Sequence, residues 1–229
     1  YLTMLENNLL KILGVHDRED TFTNLLAFCF NNSDKFQNLF IKFISNNSLK
    51  LNSTAKAYTR ISTSKSGVPD LIITCKDNHS DTLIILEKKL KADEGKDQTD
   101  KYGSNECRDD LVKRFRLNSD HLKTHCYFLT LFPDQRPANE TFTPVTYENL
   151  IIELNLFSGE KNELVRQLTD NLIELLTLFY DQGRLQPEDI VLEKLEDSEG
   201  MDGGFLYFTN LLNSLNLPQT LKPKEKQEF

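Results

Sequence analysis

The stretch Gly67-Val68-Pro69-Asp70-Leu71-Ile72-Ile73, answered sixteen residues after Pro69 by Ile85-Leu86-Glu87-Lys88-Lys89-Leu90, decides the fold. Thr82 to Leu86 is an unbroken apolar and β-branched run of the kind that fills a strand buried on both faces, and the chain then turns abruptly to Glu87, Lys88 and Lys89. Strand side chains alternate, so Glu87 and Lys89 share one face and Lys88 takes the other. Asp70 opens the preceding strand, behind a proline that suits a strand's first position. If the two strands are neighbours, Asp70 and Glu87 converge at one end of a small sheet. Two carboxylates so placed repel each other unless a cation joins them, and their hard oxygens favour magnesium or manganese over zinc.

Flanking segments extend the pattern. Upstream, Glu19, Phe22, Leu26 and Phe30 follow helical steps, which puts Glu19 on the apolar stripe of a helix over Arg18–Asn31. Downstream, Gln98 and Tyr102 stand four apart on one helix face. The order acidic helix, Pro69-Asp70, strand ending in Glu87-x-Lys89, then Gln98-x-x-x-Tyr102 resembles the PD-(D/E)XK nuclease superfamily, over roughly Leu10 to Leu156. That resemblance implies an α/β fold with a restriction-endonuclease-like core: a small mixed central sheet flanked by helices. It implies metal-dependent hydrolysis of phosphodiester bonds, in DNA rather than RNA, within restriction or anti-phage defence. Asp70, Glu87, Lys88 through its carbonyl, and Glu19 would serve a magnesium or manganese ion. Lys89 would act at the attacking water, with Gln98 and Tyr102 completing the site. A ribonuclease, a signal-controlled effector or a non-cutting binding module of the same fold are the alternatives.

Composition bounds these expectations. The net charge of −8 argues against a general nucleic-acid coat. The charge is uneven, however: Arg60 to Lys123 holds 13 Lys and Arg against 12 Asp and Glu, and the remainder 14 against 23. A basic run at Lys113, Arg114, Arg116 and Lys123 offers phosphate contacts, or simply a solvated helix face. Cys29, Cys75, Cys107 and Cys126 show no paired spacing, which fits a reduced, cytoplasmic setting. No apolar run reaches the roughly 20 residues of a membrane span, and Tyr1–Val15 is amphipathic rather than a leader. No phosphate-binding Gly-rich loop, dinucleotide fingerprint or Ser-His-Asp arrangement competes, since Gly200 to Gly204 lies in an acidic loop.

The remaining elements follow from periodicity. Helices are expected over Leu2–Leu13, Arg18–Asn31, Lys35–Ile44, Lys96–Leu117 as one long helix, Tyr147–Leu154 and Glu160–Tyr180. Strands are expected over Ala57–Ser62, Asp70–Cys75, Thr82–Leu90 and Cys126–Phe132, with a loop through Pro133, Pro137 and Pro144. Residues 1–157 would form the nuclease-like core, 158–217 a helical extension packed on it, and 218–229 a flexible tail. The Glu160–Tyr180 helix carries Leu164, Val165, Leu168, Leu172, Ile173, Leu175, Leu176, Leu178 and Phe179, more than one narrow stripe buries. A homodimer or a larger defence complex is the expected destination of that surface.

Overall fold

A computed structural model of the chain describes residues 8–16, 18–51, 54–90 and 94–184, with Glu19 and 180–184 given as backbone only. The chain divides after Tyr180. Apart from the last turn of a helix, the second unit lies outside the described residues, as do the expected tail, Tyr1 and residues 2–7 of the expected first helix.

Within the first unit, five strands form one mixed sheet in the order β1-β2-β3-β4-β5: Lys56–Thr59, Leu71–Cys75, Thr82–Lys89, Lys123–Thr130 and Phe142–Thr146. β1, β2 and β3 run as an antiparallel meander, and β3, β4 and β5 are parallel neighbours. The parallel step from β3 to β4 requires a crossover, made by α4 (Gln98–Tyr102) and α5 (Asn105–Phe115). The other described helices are α1 (Leu9–Ile12), α2 (Glu19–Asn32), α3 (Asp34–Ile44), α6 (Tyr147–Asn155) and α7 (Glu163–Arg184).

The alternation along β3 explains the layering. Ile84 and Leu86 join a large core with Phe22, Leu26, Phe36, Phe40, Leu150 and the apolar face of α7, whereas Leu83 and Ile85 join a smaller core with Tyr102, Cys107 and Leu111. The molecule is therefore α/β, with α1, α2, α3, α6 and α7 on one face of the sheet and α4 and α5 on the other. β3 is buried along its whole length, as its apolar run requires.

The structure corrects several boundaries. The expected long helix Lys96–Leu117 is two helices, because Gly103 breaks it and Ser104 caps the second, its hydroxyl accepting from the Cys107 amide at 3.2 Å. A Cβ at Gly103 would lie 2.9 Å from Thr141 Oγ1 and 3.1 Å from the Thr99 carbonyl, so the corner has room only for glycine. β1 stops at Thr59 instead of Ser62, where Arg60 turns to φ +56°. β4 begins three residues before Cys126 and ends two before Phe132. The segment containing Pro144 is not all loop. It carries β5, an edge strand, where a missing N–H is tolerated.

α7 also answers the question of its excess apolar surface. Val165, Leu172, Leu175 and Leu176 are fully buried within this chain, Phe179 packs on Phe22 at 5.7 Å, and Leu164 alone among the nine is exposed. The helix face that motivated a dimer is spent on the chain's own core.

Candidate active site

The register places the key residues. Leu71 pairs with Leu86, so the next position on each strand sets Asp70 beside Glu87 on the face shared with Ile72 and Ile85. The Lys88 amide donates to Asp70 Oδ2 at 2.9 Å, which fixes that carboxyl across the strand gap. Glu87 is fully buried, and the Lys89 ammonium lies 2.9 Å from its Oε1. Lys88 takes the opposite face, with 1% of its surface exposed.

The electrostatics are those of a crowded acidic pair. The Glu87 carboxyl is pushed up to about 8, first by burial and then by the nearby Asp70 charge, with Lys89 opposing both. Burial also raises Asp70, against the Lys88 amide and the charges of Lys88 and Lys89. The two carboxyls are close enough to share a proton, and the Lys89 ammonium is the side-chain donor beside Glu87. Two carboxyls drawn together out of water suit a hard cation, whose charge would relieve both the desolvation and the repulsion. Among the described residues no three His, Cys, Asp or Glu side chains gather as a metal-binding group. A cation here would rest on Asp70, Glu87, a backbone carbonyl and water, a donor set that fits magnesium or manganese.

The other expected site residues divide. Glu19 is the first residue of α2, and its side chain lies outside the described residues. Its neighbour Asp20 pairs with Arg60 at 3.0 Å, and the Arg60 amide meets the Asp70 carbonyl at 3.4 Å, so the start of α2 does come to the Asp70 end of the sheet. Gln98 and Tyr102 are linked, Gln98 Nε2 donating to the Tyr102 hydroxyl at 3.2 Å. Tyr102 is buried, and its hydroxyl donates to the Val68 carbonyl at 3.1 Å. Its ring edge lies 3.4 Å from where a Gly67 Cβ would be, and Gly67 has φ +91°. Tyr102 therefore holds the Gly67-Val68-Pro69 approach to Asp70. Burial raises its own hydroxyl, Gln98 opposes this, and the charges of Glu87 and Asp70 raise it further.

Sequence reading missed Glu94. Its carboxylate accepts from the Thr99 amide at 2.6 Å, the Thr99 hydroxyl at 2.6 Å and the Ala138 amide at 2.7 Å. Burial works to raise this acid, but these donors, with Lys89 nearby, hold it below the usual carboxylate range. Glu94 thus ties the start of α4 to the loop before β5, beside the catalytic candidate Lys89. No local spacing announces it, since Ala138 is 44 residues away. All four cysteines are free thiols, and no described helix is long and apolar enough to cross a membrane. In comparisons with known proteins, no family model and no curated protein matches the chain.

Proposed function

We propose that this protein is a metal-dependent nuclease of the PD-(D/E)XK type, hydrolysing phosphodiester bonds in nucleic acid, with DNA the first substrate to test. The observation that carries the reading is the fully buried Glu87 beside the half-buried Asp70 at the end of two adjacent strands, with Lys89 2.9 Å from Glu87. A purely structural role is a poor account of that pair: an apolar pair of similar volume would fill the same space without the desolvation cost. Asp70, Glu87 and the Lys88 carbonyl would hold a magnesium or manganese ion. Bound there, the cation would supply Lewis acidity at the phosphate and a lowered pKa for a water. Lys89 orients the attacking water and offsets the charge that grows on the phosphoryl oxygens. Asp70 is steadied by the Lys88 amide and, through Val68, by Tyr102. A role in restriction or anti-phage defence follows from the resemblance alone and belongs to the same proposal.

The deciding experiment incubates the protein with plasmid, linear duplex, single-stranded DNA and RNA, each with magnesium, manganese or chelator. Cleavage with metal and none with chelator is the expected result. Undiminished cleavage in chelator, or none on any substrate with either metal, would refute the reading.

A further inference from the structure

On the face of the sheet that carries Asp70 and Glu87, a second feature lies further back along β3. A recess of about 300 Å³ opens between β4, β5 and the corner joining α4 to α5. Its floor includes Ile85, two residues before Glu87 on the same strand face, hence about 6.6 Å away along β3. Its walls are Tyr102, Ser104, Asn105, Arg108 and the threonines of β4 and β5, among them Thr124 and Thr143. No Asp or Glu lines it, in a chain that carries 35 of them and a net charge of −8.

That lining has a specific chemistry. Ser104 is spent on the α5 cap, but the Thr124 and Thr143 hydroxyls and the Asn105 amide both donate and accept, so they suit a ligand edge with mixed hydrogen-bonding groups. Arg108 adds a single positive charge. Among the described residues the Arg108 guanidinium pairs with Asp109 Oδ1, at 3.2 Å in an exposed pair, which is weak enough to be redirected to a phosphate. The size is at the lower limit of ligand sites, too small for a folded partner or a duplex and adequate for one ring with its sugar. We propose that this recess binds a single nucleotide, either one unpaired unit of a nucleic-acid strand or a free nucleotide.

The strand as source rests on the nuclease reading, because the recess then takes the nucleotide next to the one being cut. The free nucleotide does not depend on it. The test uses the full chain in chelator, where no cutting is expected. Four nucleoside monophosphates, the corresponding nucleosides, inorganic phosphate and a short single-stranded oligonucleotide are titrated and followed by NMR shifts. Two variants accompany the parent: Thr143→Trp, at an exposed strand position where an aromatic is tolerated, fills the recess, and Arg108→Ala removes its cation. Circular dichroism confirms their folding.

Thr143→Trp is expected to weaken nucleotide binding at least about tenfold, and Arg108→Ala to weaken the monophosphates about tenfold while leaving nucleosides unchanged. Binding of mononucleotides, with cleavage of the oligonucleotide in metal unmoved by the variants, assigns the recess to a free nucleotide. A raised KM for oligonucleotide cleavage in both variants assigns it to the strand. No nucleotide binding at millimolar concentration, or binding equal in parent and variants, overturns the recess even if metal-dependent cleavage is found. Recess binding without cleavage of any substrate leaves the recess standing and removes the nuclease reading.

Discussion

Asp70, Glu87 and Lys89 form a unit in which each side chain changes what the others can do. On the proposed function, Lys89→Ala and Asp70→Ala should each lower metal-dependent cleavage by about two to four orders of magnitude, because each would remove a contact needed mainly in the transition state. Circular dichroism should show both folded, and full activity in Lys89→Ala would sink the assigned roles. The pH dependence of stability follows from Glu87. Its carboxyl is raised from 4.5 in the unfolded chain to about 8 in the folded one. The native state therefore keeps a proton that the unfolded state has released. Without metal, that contribution to stability is complete below about 4.5 and is lost as the pH rises towards 8. A series of urea melts in chelator, taken between those limits, should show decreasing stability. Added magnesium or manganese should stabilise more as the pH rises, since fewer protons compete for the site. A flat profile in chelator would contradict the raised pKa of the buried Glu87.

At the scale of elements, α4 is a brace as much as a wall of the site. Tyr102→Phe removes the donor to Val68 and the acceptor for Gln98, at a cost of about 1 kcal/mol in stability. If Tyr102 acts by positioning the approach to Asp70, the same variant should lower kcat with little change in KM for substrate, read in steady-state kinetics. Gly103→Ala should cost about 1 to 3 kcal/mol, because its methyl group meets the backbone carbonyl of Thr99 and the Thr141 hydroxyl at the α4–α5 corner. Denaturant melts would check it, and a neutral result would mean that the corner opens freely.

For the whole molecule, the decisive element is α7. Its residues 163–179 complete the large core on the far side of the sheet from the site, so this part of the chain is not an accessory that can be removed. Leu175→Ala should cost about 2 to 5 kcal/mol, while Leu164→Ala, at a position 47% exposed, should stay within about 0.5 kcal/mol. Comparable melting midpoints for the two variants would show that α7 does not belong to the core.

The sequence by itself determined the two strands β2 and β3, the burial of β3 and the charged residues at its end, while their pairing was a condition that the structure met. Alternation and the abrupt change from Leu86 to Glu87 are local properties that no neighbour can reverse. The helices α2 and α3 were equally legible, for their apolar steps repeat within a few turns. The break at Gly103-Ser104 also had a local signal, a glycine followed by a capping serine, which the strong flanking periodicity outweighed. Tertiary structure alone decided the rest. β5 exists because Phe142–Thr146 finds β4 as a partner and Pro144 finds an edge, neither of which is written in the segment. Glu94 matters because a loop 44 residues distant delivers the Ala138 amide. The apolar surface of α7 reads the same whether a second chain or its own core covers it, since burial is satisfied by any apolar surface; only the packing of Phe179 on Phe22 and its neighbours showed which.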